Sequence, residues 1–248
     1  MNKSVLITGG AKRIGKAVAS HLHEDGWDII LHFRSSVDSA LEIQKDFNAK
    51  RDNSCEIFQA NLDEDEQVEK LCNYILANHQ ELAAIINNAS TFYPVEIEKN
   101  TLEDWNNLIS SNLKAPIFIS KYLCSLLKKN KGSIINLTDI HAEQGLARYS
   151  IYSAAKAGLI NLTKTLAKEL APEVLVNSVA PGVILWDENN VPSAEVQKKI
   201  LNQIPLRKMG CVNDIVMIID YLLNDNSYMT GRNINIDGGK SLGWANRL

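Results

Sequence analysis

Short apolar runs alternate along this chain with longer stretches in which apolar residues recur every three or four positions. The first pattern predicts buried strands, and the second predicts amphipathic helices. Strands are predicted over residues 5–7, 28–32, 56–59, 83–86, 133–137, 174–179 and 233–236. Helices are predicted over residues 13–24, from residue 36 onward, and over 66–77, 102–128 with a break at Pro116, 151–170, 194–201 and 213–223.

The alternation of strand and helix runs from one end of the chain to the other. This order predicts an α/β fold with a parallel sheet and helices on both faces, and right-handed crossovers make it doubly wound. No linker, repeat or low-complexity segment interrupts it, so a single domain over residues 1–248 is expected. Only residues 182–205 break the rhythm, with Trp186, the acidic pair Asp187 and Glu188, and two prolines, and they predict an irregular loop.

Composition excludes several classes of protein. Of the 248 residues 45% are hydrophobic and 22% are charged, and the net charge is −3, which suits one large core and gives no basic surface for nucleic acid. No apolar run is long enough to span a membrane, and the N-terminus enters a strand without a signal-peptide pattern, so a cytoplasmic protein is expected. The four cysteines form no Cys-x-x-Cys motif and predict free thiols, and the scattered histidines make a metal site improbable.

Candidate chemistry begins with Tyr152 and Lys156, which lie four residues apart on one face of a predicted helix. A nearby cation favours tyrosinate, so the pair predicts a Tyr152 pKa below the ordinary value of about 10. Such a tyrosine can give a proton to an atom that receives hydride. Asp139, thirteen residues earlier, ends a predicted strand and could face the start of that helix. The same spacing also occurs as a half-buried tyrosine beside a solvated lysine, so the other motifs must decide.

In a doubly wound fold, ligands bind beyond the carboxyl ends of the strands. The first strand is followed by residues 8–15, whose glycines allow backbone amides to approach a phosphate, although an ordinary strand–helix turn has similar residues. The second is followed by residues 32–35, which lack the acid that usually holds the ribose 2′-hydroxyl of NAD. Arg34 and Ser35 could instead bind a 2′-phosphate, which favours NADPH, unless Arg34 is only a surface charge.

The fourth predicted strand is followed by the polar segment 87–94, which could line a cofactor cleft. Phe92 within it offers a flat apolar face to a planar ligand. The alternative is a hydrophobic plug beneath a loop.

These ordered motifs resemble the short-chain dehydrogenase/reductase family over essentially the whole chain. The matching segments are residues 8–15, 87–90, 152–156, 181–182 and 237–239. The resemblance implies a single Rossmann-like domain, hydride transfer from a nicotinamide, and a homotetramer. It also implies that Lys156 holds the nicotinamide ribose and lowers the Tyr152 pKa, and that Asn112 supports a water that relays protons.

The resemblance further implies a set of cofactor-binding residues: Gly9, Lys12, Arg13, Ile14, His32, Phe33, Arg34, Ser35, Asn61, Leu62, Asn88, Ala89, Ser90, Thr138, Tyr152, Lys156, Pro181, Gly182 and Ile184.

Three departures from the general family pattern stand out. Arg13 replaces the second glycine of the turn, Ser90 replaces the last glycine of Asn-Asn-Ala-Gly, and Asp139 replaces the catalytic serine. An ionised Asp accepts hydrogen bonds and cannot donate one to a ketone, which argues against a plain ketone substrate unless Asp139 stays protonated.

All three departures resemble the pteridine reductase branch of the family. That likeness implies that Phe92 stacks on a pterin, that Ser90 hydrogen-bonds the pterin or a phosphate, and that Arg13 lies over the pyrophosphate near the substrate. Leu185 and Trp186 would form the outer wall of the site, within the substrate-binding loop 182–205.

The function expected from the sequence is NADPH-dependent reduction of pterins or dihydropterins, including dihydrofolate, with Tyr152 and Asp139 delivering the proton. The alternative enzyme is a carbonyl reductase of 3-oxoacyl thioesters or small ketones. A third alternative is a non-catalytic NADPH-binding sensor.

Overall fold

A computed structural model describes residues 3–186 and 191–243, and within them seven strands form one parallel sheet. The strands are β1 (Ser4–Ile7), β2 (Asp28–Phe33), β3 (Cys55–Gln59), β4 (Leu82–Asn87), β5 (Ser133–Leu137), β6 (Leu175–Pro181) and β7 (Asn233–Ile236). Their order across the sheet is β3-β2-β1-β4-β5-β6-β7, and every neighbouring pair is parallel. The predicted α/β fold, doubly wound and Rossmann-like, is confirmed.

Helices connect these strands. They are α1 (Arg13–Glu24), α2 (Val37–Lys50), α3 (Asp65–Asn78), α4 (Leu102–Ile109), α5 (Ala115–Lys129), α6 (His141–Gln144), α7 (Ser150–Glu169), α8 (Ala194–Asn202) and α9 (Val212–Asn224). Apart from the subdivision of the 102–128 stretch, the ends predicted from the sequence lie within two residues of these bounds, and those of α1, β5 and β7 coincide with them.

Side chains of the central strands are buried on both faces of the sheet. In β1, Val5 and Ile7 belong to one core cluster and Leu6 belongs to the other. Because alternate side chains of a strand point to opposite faces, the two clusters lie on the two sides of the sheet. Helices α1, α2 and α9 cover the first cluster, while α3, α5 and α7 cover the second.

The predicted break at Pro116 lies slightly upstream of the proline. A π-helical turn over Ser110–Lys114 lies between α4 and α5, and Pro116, which has no N–H to donate, stands two residues beyond that turn. Asn112 lies inside this π turn. Single π turns inside helical segments often accompany functional sites.

Short elements escaped the sequence prediction. Helix α6 has four residues, and the 3-10 turns over Ile97–Lys99 and Lys240–Leu242 have three each, too few to show a helical period. The predicted acidic pair Asp187 and Glu188 lies outside the described residues. Within residues 3–186 and 191–243, no helix combines the length and the apolar character needed to cross a membrane.

Candidate active site

An open cleft lies at the carboxyl ends of the strands and has two continuous parts. The outer part has a volume of about 180 Å³ beside the ends of β2 and β3, and the inner part has a volume of about 400 Å³ beside the ends of β5 and β6. Gly9, Lys12, Ala89 and Ser90 line both parts. A single elongated ligand could therefore occupy the whole cleft.

The glycine turn after β1 is shaped by close backbone packing. Gly9 has a φ of +62°, and a Cβ there would lie 3.0 Å from the Cα of Ala89. A Cβ on Gly15 would lie 2.4 Å from the carbonyl oxygen of Gly9, so only glycine lets α1 begin this close to the turn. The amides of Asn88 and Ala89 both donate to the Thr8 hydroxyl at 3.0 Å, which fastens this turn to the segment after β4.

His32 holds the same turn through a hydrogen bond to its ring. Its Nδ1 accepts the Gly9 amide at 3.1 Å, so its Nε2 carries the proton and donates to the Ala60 carbonyl at 3.0 Å. Burial lowers the pKa of His32 to about 4, against the hydrogen bond to Ala60, which raises it. The ring is therefore neutral at physiological pH, and both its nitrogens bond within the protein. Although His32 lines the outer cleft, the structure assigns its ring to holding the turn.

Arg13 opens α1 with a φ of +51°. This left-handed conformation costs a non-glycine residue roughly 1–2 kcal/mol. In the sequence, Arg13 stands where the family pattern has a glycine. In the structure its backbone keeps the positive φ that glycine adopts readily. Arg13 lines the inner cleft, so strain is retained where its side chain borders the site.

The outer cleft carries the residues predicted to read the 2′-phosphate. Arg34 and Ser35 both line it, and the Arg34 side chain is 59% exposed. Asp63, which the sequence analysis did not single out, lies 3.4 Å from the Arg34 guanidinium. Burial raises the pKa of Asp63, while Arg34 and Lys114 lower it. An acid therefore does stand near this end of the cleft, although it follows β3 and not β2.

Other predicted residues of the outer cleft contribute mainly backbone. Phe33 and Leu62 line it but have buried side chains. The side-chain Nδ2 of Asn61 donates to the Glu64 carboxylate at 3.0 Å, and its Oδ1 accepts from the backbone amide of Asp63 at 3.2 Å.

The inner cleft holds a three-residue hydrogen-bonded chain. The Tyr152 hydroxyl donates to Oδ2 of Asp139 at 2.7 Å. Oδ1 of Asp139 accepts from the backbone amide of His141 at 2.7 Å and from its Nδ1 at 2.8 Å. Burial raises the pKa of Asp139, but the hydrogen bonds from His141 and Tyr152 outweigh it, and the net shift is downward. Asp139 is therefore an ionised acceptor, which answers the question of its protonation.

Lys156 lies beneath this chain and is only 2% exposed. Its Nζ donates to the Leu137 carbonyl at 2.7 Å and lies 5.8 Å from the centroid of the Tyr152 ring. Burial lowers the pKa of Lys156 to about 8, and the Asp139 charge opposes this shift. The ammonium is thus close to the tyrosine without touching its hydroxyl.

The predicted lowering of the Tyr152 pKa is wrong for this structure. Burial raises the pKa of Tyr152, and the charge and hydrogen bond of Asp139 raise it further. The sequence argument weighed the cation at Lys156 but did not foresee a carboxylate at 2.7 Å. Tyr152 is accordingly held in its protonated form, the form that an acid needs.

Ser90 joins Tyr152 to Asn112. Its hydroxyl donates to Oδ1 of Asn112 at 2.8 Å, and the closeness of the Ser90 hydroxyl to Tyr152 slightly opposes the rise in the Tyr152 pKa. The Asn112 amide donates to the carbonyls of Thr91 and Leu108 at 2.8 and 2.9 Å. These contacts give Asn112 a clear role in fixing the segment after β4. The water relay through Asn112 remains a prediction.

Phe92 lies at the mouth of the inner cleft and is 52% exposed. Its ring stacks on Tyr149, with centroids 4.5 Å apart and planes inclined by 16°, and meets Tyr152 edge-on at 4.8 Å. One face of Phe92 is thus already covered by Tyr149. Phe92 is both an aromatic wall and a packing partner, which combines the two interpretations that the sequence left open.

The remaining predicted residues divide into two groups. The residues that line the inner cleft are Ile14, Asn88, Thr138, Pro181 and Gly182. The side chain of Ile184 is buried in the core, so only its backbone could face a ligand. Leu185 is exposed and Trp186 is partly buried, and neither is among the described residues that line the cleft.

Sequence reasoning missed His141 and Tyr149. His141 stands two residues after Asp139, where an Asp side chain can reach the backbone amide two positions on. Tyr149 precedes Tyr152 by three residues, one helical turn. These spacings were the only signals that could have identified them.

With its parallel sheet, its glycine turn and the Tyr152–Lys156 pair, the chain belongs to the short-chain dehydrogenase/reductase family of oxidoreductases. A family model described as "Enoyl-(Acyl carrier protein) reductase" matches residues 9–241. The chain is 35% identical over 243 residues to the 3-oxoacyl-(acyl-carrier-protein) reductase FabG of Staphylococcus epidermidis, covering 96% of this chain and 99% of that protein.

Of two further relatives, one is another 3-oxoacyl reductase and the other is a dihydromonapterin reductase. The 3-oxoacyl-(acyl-carrier-protein) reductase of Synechocystis is 34% identical over 238 residues, covering 94% of this chain and 95% of its own. The dihydromonapterin reductase of an Enterobacter species is 32% identical over 243 residues, covering 97% of each chain. Relatives of similar identity thus carry names from both of the enzyme classes weighed from the sequence.

Proposed function

We propose that this protein is an NADPH-dependent reductase of pterins and dihydropterins, dihydrofolate included. The observation that carries the proposal is the ionised Asp139, which accepts hydrogen bonds from Tyr152 and His141 beside the inner cleft. A ketone oxygen needs a donor at this position, whereas the amino and N–H groups of a pterin need an acceptor. Asp139 therefore suits the pterin better.

The described residues fit nicotinamide adenine dinucleotide phosphate. The N-cap of α1, Lys12, makes no side-chain cap hydrogen bond, which leaves first-turn amides free to bind a phosphate. Arg34 and Ser35 would hold the 2′-phosphate, and Lys156 would hold the nicotinamide ribose. When bound, the nicotinamide supplies the hydride.

The protein's own residues supply the proton and the orientation. Tyr152, kept protonated by burial and by Asp139, gives its proton to the ring nitrogen beside the carbon that receives hydride. Asp139 accepts a hydrogen bond from the substrate or shares a proton with Tyr152. Phe92, backed by Tyr149, offers an aromatic wall for the pterin ring.

The second candidate is reduction of 3-oxoacyl thioesters, and the names of the relatives favour it. The 3-oxoacyl reductases of Staphylococcus epidermidis and Synechocystis are slightly more similar to this chain than the dihydromonapterin reductase of Enterobacter is. On this reading Tyr152 would protonate a ketone oxygen next to an anionic Asp139. The repulsion between that carboxylate and the developing alkoxide weighs against it.

The two candidates separate in one assay. Purified protein with NADPH is given dihydrobiopterin, dihydrofolate or an acetoacetyl thioester, and oxidation of NADPH is followed. Pterin-dependent turnover with a kcat/KM at least tenfold above that for the thioester supports the proposal. Thioester turnover without pterin turnover overturns it. Tight NADPH binding with no turnover of either would favour a non-catalytic sensor.

We also propose that the protein acts as a homotetramer. The exposed apolar side chains Leu102 and Trp105 on α4, with Ile117 and Phe118 on α5, give these helices a face suited to another copy of the chain. Light scattering on the purified protein measures the assembly directly, and a monomeric mass would contradict this part.

A further inference from the structure

One titratable group beside the proposed catalytic pair has no part in the chemistry described so far. His141 opens the short helix α6, and its Nδ1 lies 2.8 Å from Oδ1 of Asp139. Since an ionised carboxylate only accepts, Nδ1 must carry a hydrogen. The backbone amide of His141 bonds to the same oxygen at 2.7 Å, which fixes the imidazole close to the carboxylate.

His141 and Asp139 both differ from Tyr152 in their access to solvent. Each of these two side chains is 21% exposed, whereas Tyr152 is 4% exposed. The chain Tyr152–Asp139–His141 therefore runs from the cleft toward solvent through two bonds of 2.7 and 2.8 Å. Such a chain can carry a proton inward without moving the backbone.

We propose that His141 is the positioning residue through which a proton reaches the Asp139–Tyr152 pair from solvent during each turnover. The inference rests on the proposed role of Tyr152 as the acid, but it holds for a pterin or for a ketone substrate. This path by which protons reach Tyr152 from solvent is distinct from a path through Lys156 and water.

The step balances as follows. The Tyr152 O–H bond breaks as the substrate takes the proton, which would leave a tyrosinate beside the Asp139 carboxylate. Two such anions at 2.7 Å repel strongly in a buried site. As the Nδ1–H bond of a His141 imidazolium breaks, its proton passes to the pair, which shares it as a unit, and the carboxyl rotates if the other oxygen must carry it. The neutral imidazole, which keeps its hydrogen on Nε2, then turns about its Cβ–Cγ bond so that the bare Nδ1 reaches solvent, takes up a proton there and turns back.

The electrostatic surroundings of this chain include two cations and one aromatic hydroxyl. Lys156 approaches from α7, and Lys240 lies in the turn near the C-terminal end of the described chain. The Asp139 charge raises the pKa of both, against the burial that lowers it. Tyr149 lies near Tyr152 at the start of α7, and Glu143 lies on α6 itself.

The variant His141→Asn distinguishes a role of His141 in proton transfer from a role in hydrogen bonding alone. The side-chain nitrogen of Asn can occupy the position of Nδ1 and donate to Asp139, but it cannot titrate. The matched control is His79→Asn, which alters another histidine–carboxylate pair, 3.2 Å from Glu56 and outside the described cleft. Both variants and the native enzyme are compared in single-turnover reductions from pH 5 to 9, with whichever substrate the native enzyme reduces.

A relay predicts that the native rate falls as rising pH removes the proton from the His141 imidazole. His141→Asn should lower the rate near pH 7 on the order of ten- to a hundredfold, less than the 10²–10⁴ of a direct acid. It should also flatten the pH profile and leave KM within about twofold. His141→Ala should regain rate with added imidazole. A His141→Asn profile parallel to that of the native enzyme would overturn the relay.

A measurement without substrate keeps the relay testable if neither substrate is turned over, which would refute the proposed function. The carboxyl carbon of Asp139, observed by ¹³C NMR, should show an inflection as the His141 imidazole loses its proton, and this inflection should disappear in His141→Asn. An Asp139 signal without this inflection would overturn the relay by itself.

Discussion

Replacing Tyr152 by Phe tests the assignment of the acid. The change removes one oxygen and keeps the ring that packs edge-on against Phe92 at 4.8 Å. The lost hydroxyl donates to an ionised carboxylate at 2.7 Å in a buried site, and such a bond contributes about 1.5–3 kcal/mol. We therefore expect the free energy of unfolding to fall by about 1–3 kcal/mol.

The effect on catalysis should be larger and separable from stability. Loss of a general acid lowers the rate by roughly 10²–10⁴-fold. The dissociation constant for NADPH should change only a few-fold, because the Tyr152 hydroxyl bonds to Asp139 and not to the glycine turn. The assays are single-turnover reduction, NADPH titration by fluorescence, and unfolding by urea.

The chain offers a matched control in Tyr93, whose hydroxyl donates to Asp104 at 3.0 Å outside the described cleft. Tyr93→Phe removes a similar tyrosine–aspartate bond and should lower stability by about 1 kcal/mol with turnover unchanged. If Tyr152→Phe loses stability but keeps near-normal turnover, Tyr152 is not the acid.

Four further predictions follow from the site. Arg34→Ala should weaken NADPH binding by about 10- to 100-fold and leave NADH binding unchanged, as for the loss of a charge-assisted bond; equal losses for both cofactors would refute the 2′-phosphate assignment. Arg13→Gly should stabilise the fold by up to about 1 kcal/mol, since it relieves a φ of +51°, while raising KM for the pterin; Lys131→Gly, at a φ of +50°, should stabilise without affecting KM. Because the His32 pKa is lowered to about 4 in the folded protein, the unfolded chain binds a proton on His32 at a higher pH than the folded protein does. The free energy of unfolding should therefore fall by about 3 kcal/mol between about pH 6.5 and 4, and urea unfolding of His32→Gln should lack this pH dependence. Asp139→Ser should lower pterin reduction far more than NADPH binding and raise thioester reduction; unchanged pterin kinetics would detach Asp139 from the chemistry.

The fold was predictable because its central strands are buried on both faces. Continuous apolar runs such as Ile134 and Ile135 in β5 stand out from the amphipathic helices that flank them. Pattern alone could not find α6, because four residues do not complete a helical period that a sequence can display. The predicted break at Pro116 could not be placed to the residue, because the sequence pattern does not reveal the π-helical turn over Ser110–Lys114 that precedes the proline.

The candidate site was predictable in its membership but not in its electrostatics. Tyr152, Lys156 and Asp139 converge as their spacing suggested, since a strand end and a helix start meet at one edge of the sheet. The Tyr152 pKa is raised first by burial and then by the Asp139 carboxylate at 2.7 Å, and neither the depth of burial nor a distance of that kind can be read from a sequence. The partner of Phe92, Tyr149, likewise depends on how the loop after β4 closes over α7.

The most direct test of the central claim is a competition between dihydrobiopterin and an acetoacetyl thioester in one reaction with NADPH, with both products quantified. The ratio of products at equal substrate concentrations reports the ratio of the two kcat/KM values without separate rate measurements. The account predicts tetrahydrobiopterin in at least tenfold excess, because the Asp139 carboxylate suits a donor on the substrate and opposes a developing alkoxide. An excess of the hydroxyacyl thioester would contradict it and identify a 3-oxoacyl reductase that tolerates an aspartate beside its catalytic tyrosine.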